Sequence, residues 1–279
     1  MSEFEDALTL RDGEFPGSYA VDISSGWTIG GGINGGLLLA VMARAMSDAL
    51  GGRGHTEPLA VSAYYLSPTR PGPAMVETDI ARQGGSSSTG SAALVQYADD
   101  GRREERIRAM GSFTDLSRLP SEATTRLTPP DLPLVEQCVS KDDAPAGSPV
   151  PDAPLLERTD VRFDPASAGW AMGQPSGRGL IQAYFRLADG QEPDPFVLLF
   201  ACDALPPVSM DLGRYGWAPT IEFTVNVVAR PAPGWLRIKH YTEHTAAGHF
   251  VEDCQVWDSA DTLVAQSRQL ARMPRDPNA

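Results

Sequence analysis

Two stretches of the chain are apolar on almost every face, and alternating apolar and polar residues follow each of them. Residues 37–50 are predicted to form a helix that ends at Gly51-Gly52, because glycine commonly follows the last helical turn. Residues 196–202 are predicted to form a second helix, which Asp194 caps and Leu205-Pro206-Pro207 terminates. A helix without a polar face is a buried helix. Each half of the chain is therefore predicted to fold around one buried helix.

The alternating segments predict β-strands, because successive side chains of a strand point to opposite faces. In the first half the predicted strands cover residues 18–23, 59–66, 74–81, 88–97 and 104–113. In the second half they cover residues 179–187, 220–230, 235–243, 250–257 and 263–273. This order predicts an α+β fold of two halves, in which an antiparallel sheet wraps each buried helix.

The two halves are related by a repeat with an offset of 160 residues, seen in Arg70-Pro71 and Arg230-Pro231. Both dipeptides follow a predicted strand and begin a similar turn. The offset aligns small residues of the first half with polar residues of the second: Ala60 with Thr220 and Ala109 with Gln269. A duplicated fold with polar residues in one copy predicts one site per chain, built across two related domains.

Residues 119–160, between the two halves, are rich in Pro, Ser and Asp. Such a composition sustains neither a helix nor a central strand, so we predict a linker that crosses the surface. The predicted domains are then residues 1–118 and residues 161–279. The second domain carries the polar residues of the predicted site.

Charge and cysteine content narrow the classes of partner. The 279 residues contain 23 Lys and Arg against 36 Asp and Glu, a net charge of −13, so no nucleic-acid partner is expected. The acidic N-terminus does not look like a signal peptide, and no apolar run is long enough to cross a bilayer. The 3 cysteines form no C-x-x-C pair, which argues against a disulfide framework and a zinc site. We expect a cytoplasmic protein with no membrane partner, and the preference for Arg over Lys indicates a bacterial source.

Asp203 is the most informative polar residue, because it follows the apolar run F-V-L-L-F-A-C. A carboxylate buried there raises its pKa or finds hydrogen bonds, and perturbed carboxylates cluster at functional sites. The alternative is a helix-end group that accepts hydrogen bonds from the loop that follows. Gln269 shares a strand face with small residues, which predicts an inward position, and an exposed edge-strand position is its alternative. Thr220 begins a predicted strand, where threonine is also common for structural reasons.

The glycine-rich residues 30–36 precede the first predicted helix. They lack the Lys-Ser/Thr end of a phosphate loop and the spacing of a dinucleotide-binding motif. Glycines at a helix start still expose backbone N–H groups that can bind an anion or an oxyanion. His240 and His244 are four residues apart on a predicted strand, where that spacing does not suit a helical metal pair. No metal site is expected.

Several short motifs together resemble the double-hotdog acyl-CoA thioesterases of the thioesterase II family. They are G-G-L-L-L-A-V-M-A-R-A and Y-Y-L-S-P-T-R-P-G-P in the first half, and F-A-C-D-A-L, P-T-I-E-F-T-V-N-V and L-V-A-Q-S-R-Q in the second. In that family an Asp, a Thr and a Gln hold the attacking water. The matching motifs place them at Asp203, Thr220 and Gln269. The chain departs from many relatives at I-N-G-G, before the paired glycines.

The resemblance implies a tandem hotdog fold and hydrolysis of an acyl-CoA to the free acid and coenzyme A, with no cofactor. Asp203 would act as general base or as the acceptor that orients the water. The oxyanion would lie near Gly35 or Gly36, and the acyl chain between the two buried helices. The chains are expected to form homo-oligomers.

Two other functions share this fold. A hydratase or dehydratase would need a His beside an acid, for which His240 and His249 are available. A non-catalytic acyl-group binding protein would keep the fold without turnover, against which the complete Asp, Thr and Gln set argues.

Overall fold

The computed structural model describes residues 2–120, 124–143, 147–148 and 153–275. The elements of the first half are, in chain order, α1 (Glu3–Ala7), β1 (Arg11–Asp12), β2 (Ser18–Ile23), β3 (Thr28–Ile29), β4 (Gly32–Ile33), α2 (Gly35–Leu50), β5 (Glu57–Tyr65), β6 (Gly72–Gln83), β7 (Ser88–Tyr97) and β8 (Arg103–Thr114). Strands β2 and β7 have the predicted bounds. The sequence pattern therefore locates the long strands closely, with differences at the ends of β5, β6 and β8. The short elements α1, β1, β3 and β4 are not predicted by it.

Helix α2 begins at Gly35 because the side chain of Asn34 caps it. The Asn34 Oδ1 accepts a hydrogen bond from the Leu37 N–H at 2.9 Å, which satisfies one donor that a helix start leaves free. The helix starts two residues before the predicted residue 37, since two glycines give no helical signal in the sequence. Residues 36–43 are all buried. The prediction of a buried helix is confirmed.

The second half repeats the order of the first around a shorter helix. Its elements are β9 (Thr159–Phe163), β10 (Leu180–Leu187), α3 (Pro195–Ala201), β11 (Thr220–Val227), β12 (Leu236–Ala246), β13 (His249–Trp257) and β14 (Leu263–Arg272). The Asp194 Oδ1 caps α3 by accepting from the N–H groups of Phe196 and Val197, both at 2.8 Å. All 7 residues of α3 are buried, as the apolar pattern predicts.

Within the described residues, one antiparallel sheet of 12 strands contains both halves, in the order β1-β2-β6-β7-β8-β5-β11-β14-β13-β12-β10-β9. The halves join where β5 pairs with β11, for example through Ala63 and Phe223. This pairing leaves neither half with a long unpaired edge, as predicted. Helix α2 packs on β5 to β8 and on α3. The two helices and the two halves of the sheet thus share one continuous core.

The 160-residue offset holds in the strand register. Two cross-strand pairs of the first half have counterparts 160 residues later: Ala63–Ala109 with Phe223–Gln269, and Ala92–Ala109 with Glu252–Gln269. The helix caps Asn34 and Asp194 differ by the same offset. The halves are therefore structural equivalents around these pairs. The register differs at the start of β11, where Thr220 pairs with Ala271 while Ala60 pairs with Ser112.

The segment between the halves is more structured than a linker. Strand β9 begins at Thr159, inside the predicted residues 119–160, and Val139 bridges to Phe163. Leu155 and Cys138 are buried. Because β9 lies at the sheet edge, it needs a partner on one side only, which a segment next to several prolines can provide. Residues 121–123, 144–146 and 149–152 of this segment lie outside the described residues, and the domain boundaries stay predictions.

Among the residues that the structure describes, no helix is long and apolar enough to span a bilayer. The same residues contain no cluster of three or more His, Cys, Asp or Glu side chains that could hold a metal ion. Cys138, Cys202 and Cys254 are buried with free thiols. Burial raises the pKa of the Cys138 and Cys254 thiols, which keeps both in the less reactive protonated form.

Gly36 lies where α2 meets the end of α3. A Cβ atom on residue 36 would lie 2.8 Å from the Asp203 Cβ and 3.0 Å from the carbonyl oxygens of both Leu199 and Phe200. Backbone atoms at such distances cannot yield without moving a helix. We therefore expect Gly36→Ala to lower the free energy of unfolding by about 1–3 kcal/mol, measured by chemical denaturation.

Gly52→Ala is the matched control, because a Cβ there meets no atom within 4 Å. It should leave the free energy of unfolding unchanged or raise it slightly, since alanine restricts the unfolded chain. Equal losses in the two variants would contradict the close packing described for residue 36.

Candidate active site

A cavity of about 980 Å³ lies beside the junction of the two halves. Its apolar lining includes Leu38, Leu155, Phe163, Trp170, Met210 and Phe250, and its polar lining includes Asn34, Asp203, Thr220, Glu252 and Gln269. The three residues that the sequence predicts as a catalytic set thus line one cavity.

The cavity does not lie between the two buried helices, where the acyl chain is predicted to bind. Helices α2 and α3 pack directly on each other, and only Gly35 and Leu38 of their residues line the cavity. The rest of the wall comes mostly from segments 139–143, 155–163, 168–172 and 203–221. Glycine at position 36 permits this close helix contact, so the free volume lies at the helix ends.

Asp203 follows α3 and directs its carboxylate at the N-terminal end of α2. Its Oδ2 accepts from the Gly36 N–H at 2.8 Å and from the Asn34 Nδ2 at 3.2 Å. The same Nδ2 also donates to the Asp203 carbonyl oxygen at 2.8 Å. The partners of Asp203 therefore come from the other half of the chain, and not from the loop that follows α3. Asn34, noted in the sequence only as a departure from the family pattern, both caps α2 and holds Asp203.

Desolvation raises the pKa of Asp203 from 3.8 to about 6, against the opposing effect of hydrogen bonds from Gly36, Gly35 and Asn34. The side chain remains partly accessible from the cavity, although protein atoms surround it. The positive end of the α2 dipole favours its negative charge. Asp203 is thus ionised at neutral pH and is a stronger base than an exposed aspartate.

Thr220 and Gln269 form a hydrogen-bonded pair on neighbouring strands. Thr220 begins β11, and its Oγ1 donates to the Gln269 Oε1 at 2.8 Å. Strand β14 lies between β11 and β13, and Gln269 is buried. The alternative of an exposed edge-strand position for Gln269 is therefore wrong.

Glu252 extends this pair and is absent from the set predicted from the sequence. It lies opposite Gln269 on β13, and its Oε1 accepts from the Gln269 Nε2. Burial raises the pKa of Glu252 to about 7, and the negative charge of Asp203 adds to the increase. At the 160-residue offset Glu252 corresponds to Ala92, so a polar residue of the second half replaces a small residue of the first. That is the same signal that marks Thr220 and Gln269 in the sequence.

The structure corrects one part of the prediction for Gly35 and Gly36. The Gly36 N–H donates to Asp203, so it is not an open donor for a substrate oxygen in this structure. The Gly35 amide also lowers the pKa of Asp203, and the Gly35 carbonyl accepts from the Tyr65 hydroxyl at 2.7 Å. The helix start binds the carboxylate of Asp203 in this structure, and its role toward a substrate oxyanion stays a prediction.

The histidines lie outside the cavity wall. His240 is buried with its Nδ1 3.6 Å from the Glu252 Oε1, and desolvation lowers the pKa of His240 to about 4. It is therefore neutral beside this acid. His249 lies at the start of β13, where its Nδ1 is 2.8 Å from the Ala247 carbonyl oxygen. Neither residue lines the cavity that holds Asp203.

Both halves of the chain match domain models of one enzyme family. Residues 23–114 match the acyl-CoA thioesterase N-terminal domain, and residues 135–273 match the acyl-CoA thioesterase C-terminal domain. The chain belongs to the acyl-CoA thioesterase family. The uncharacterised protein Rv0499 of Mycobacterium tuberculosis (strain H37Rv) is 31% identical over 297 residues, which cover 97% of this chain and 98% of that protein.

Solved structures agree with the family and with the fold. A Thermobifida fusca YX protein assigned to thioesterase II superposes with a TM-score of 0.82 at 32% identity, and the match covers 99% of this chain and 98% of that one. A hot dog fold protein of unknown function from Alicyclobacillus acidocaldarius superposes with a TM-score of 0.84 at 22% identity, over 99% of each chain. The predicted tandem hotdog fold is confirmed. This acyl-CoA thioesterase hydrolyses acyl-CoA thioesters.

The raised pKa of Asp203 predicts how stability depends on pH. Because the pKa is about 6 in the folded thioesterase and near 3.8 unfolded, the Asp203 contribution to stability is full below pH 4 and is lost as pH rises through 6. Asp203→Asn should therefore gain stability relative to the unmodified chain between these pH values, by about 1–3 kcal/mol. Denaturation of both proteins at pH 4.5 and 7.5 measures the gain. A difference that is the same at both pH values would contradict the raised pKa.

Proposed function

We propose that this thioesterase hydrolyses its substrate with one water molecule held by Asp203, Thr220 and Gln269, with Asp203 as general base. The observation that carries the proposal is that an aspartate with a pKa near 6 and a hydrogen-bonded Thr–Gln pair line the same largely apolar cavity. The aspartate supplies a base that works near neutral pH. The cavity supplies apolar contacts for an acyl group.

The proton of the water goes to the second oxygen of the Asp203 carboxylate in this mechanism. The Oδ2 of Asp203 already accepts from Gly36 and Asn34, so Oδ1 is the proposed acceptor. The Thr220 hydroxyl uses its hydrogen on Gln269, which leaves its oxygen lone pairs to accept from the water. The water then donates toward the protein and keeps a lone pair for the thioester carbonyl carbon.

Attack forms a tetrahedral intermediate as the water loses one proton to Asp203. The C–S bond then breaks, the carbon becomes a carboxylic acid, and the thiolate of coenzyme A leaves. The proton on Asp203 returns to the solvent or to the thiolate, which restores the base. Because a thiolate is a good leaving group, the mechanism needs no dedicated general acid.

The N-terminal end of α2 stabilises one negative charge throughout the reaction. Before the attack the charge is on Asp203, where the Gly36 N–H and the Asn34 amide bind it. Protonation neutralises the carboxylate as the charge develops on the thioester oxygen. We assign the oxyanion to the amides of Gly35 and Gly36 at that stage, because the helix dipole favours a negative charge there in either position.

The two alternatives receive less support from the geometry. A hydratase needs a His and an acid that both reach the substrate, and neither His240 nor His249 lines the cavity. A passive acyl-group binder has no need of a buried base, and an ionised buried carboxylate costs stability. Hydrolysis uses Asp203, Thr220 and Gln269 together.

A paired assay tests the proposal against both alternatives. A panel of acyl-CoA substrates of increasing chain length is incubated with the protein and a thiol reagent, beside an enoyl-CoA hydration assay. Release of free thiol without hydration is the expected result. Hydration without thiol release would establish a hydratase, and binding without either reaction would establish a binding protein.

Asp203→Asn should lower kcat by roughly 10²-fold, because the amide keeps the shape of the side chain and loses the ability to accept a proton. Thiol release under saturating acyl-CoA measures the change. Asp211→Asn is the matched control, since Asp211 is also buried, accepts from the Ser176 N–H at 2.8 Å and does not line the cavity. The control is expected to keep the unmodified kcat even where it loses stability. Full activity of Asp203→Asn would reduce Asp203 to a structural group and contradict the mechanism.

A homo-oligomer and a cytoplasmic location stay predictions. Exposed apolar side chains on the outer side of the central strands, among them Tyr64 on β5 and Met110 on β8, support association of chains. Light scattering on the purified protein measures the oligomeric state, and a monomer over the full concentration range would contradict the expectation.

A further inference from the structure

We propose that Glu252 is a positioning residue that fixes which end of the Gln269 side-chain amide faces Thr220 and the attacking water. The inference rests on the proposed function, because it assigns Gln269 to that water. Glu252 has no part in the proposed proton transfer and makes no contact with the reacting atoms in it. Its role follows from the hydrogen bonds on its two oxygens.

Glu252 is held from two sides. Its Oε2 accepts from the Val208 N–H at 2.7 Å, and its Oε1 faces the Gln269 Nε2. Only 2% of the residue is exposed, so water does not compete for these oxygens. The His240 Nδ1 lies 3.6 Å from Oε1 on a third side. The carboxylate therefore has a fixed place and a fixed orientation at the cavity wall.

The direction of each hydrogen bond follows from chemistry. A backbone N–H can only donate, so Glu252 accepts at Oε2. Above its pKa of about 7 the carboxylate of Glu252 is ionised, and it then also offers only an acceptor at Oε1. Gln269 must then turn its NH₂ group toward Glu252 and its carbonyl oxygen toward Thr220. The Thr220 hydroxyl donates to that oxygen, as observed. One buried carboxylate thus sets the direction of both hydrogen bonds that connect Glu252, Gln269 and Thr220.

This polarity is the one that hydrolysis requires. With the Gln269 oxygen facing the cavity, Gln269 and Thr220 both present acceptors to a water molecule. The water donates one hydrogen to Asp203 and the other to Gln269 or Thr220, and it retains a lone pair for the carbonyl carbon. The reversed amide would donate to the water oxygen and engage that lone pair.

A comparison with the first half of the chain indicates that the Glu252 carboxylate serves the site. Its counterparts of Glu252 and Gln269 are Ala92 and Ala109, which form the equivalent cross-strand pair. The same strands therefore pair without any buried polar chain. Because a buried carboxylate is costly to retain, its presence in one half alone points to the site and not to the fold.

Glu252→Gln tests the assignment. The new amide must still accept from the Val208 N–H, so its NH₂ group faces Gln269 and reverses the Gln269 amide. We expect kcat for acyl-CoA hydrolysis to fall at least roughly tenfold, with KM changed by less than about twofold, because only the water is disturbed. Asp253→Asn is the matched control, since Asp253 is the next residue on β13 and pairs with Arg268 at 2.7 Å. The control should keep the unmodified kcat.

The exchange variant Glu252→Gln/Gln269→Glu provides a rescue. It keeps one carboxylate and one amide in the buried pair, with the amide now on β13 and an acceptor oxygen again facing Thr220. Its kcat should exceed that of Glu252→Gln, and thermal melting checks that each variant is folded. Should Glu252→Gln fail to fold, the exchange variant still decides, by comparison with Gln269→Glu alone.

The outcomes separate the two proposals. An unmodified kcat in folded Glu252→Gln, or no recovery in the exchange variant, would overturn the role of Glu252 and leave the hydrolase assignment intact. No thiol release by the unmodified protein with any acyl-CoA would overturn the proposed function, and the Glu252 inference with it.

Discussion

The hydrogen bond from the Gly36 N–H to the Asp203 carboxylate connects the two halves of this thioesterase at 2.8 Å. It requires that α2 begin at the place where α3 ends, and this requires glycine at position 36 and a cap at Asn34. It also places a carboxylate at the positive end of a helix dipole, inside a region that water reaches only through the cavity. Core packing and the chemistry of the site therefore depend on the same contact. A change that separates the helices would remove the environment that sets the pKa of Asp203.

Duplication explains how the site could form at small cost to the fold. The strands of the two halves pair in equivalent registers, so the polar residues of one half can be compared with alanines of the other. In the first half, small residues pack against the long helix α2. In the second, the short helix α3 ends early, and the residues after it open the wall of the cavity. One half thus supplies the helix start that binds the charge, and the other supplies the charge and the polar side chains.

Much of the fold follows from the sequence pattern, because buried helices and alternating strands leave strong periodic signals. The bounds of β2 and β7 are examples. Strand β9 is not predictable in this way, because its edge position next to several prolines hides the alternation. The partner of the Gly36 amide is equally hidden, since it lies 167 residues away in the chain. Local sequence predicts a donor at that helix start but does not identify the carboxylate that occupies it. In the local sequence Glu252 looks like any other polar residue of a strand. Only its correspondence with Ala92, 160 residues earlier in the chain, distinguishes it.

In the proposed mechanism a water molecule held by Asp203, Thr220 and Gln269 of the second half attacks the thioester carbonyl carbon. A crystal structure with a non-hydrolysable acyl-CoA analogue, in which a methylene group replaces the thioester sulfur, tests it most directly. We expect a water within about 3.5 Å of the ketone carbon, in contact with Asp203 and with Thr220 or Gln269. We also expect the ketone oxygen at the N-terminal end of α2. A ketone bound away from these residues, or a water that none of them contacts, would contradict the account.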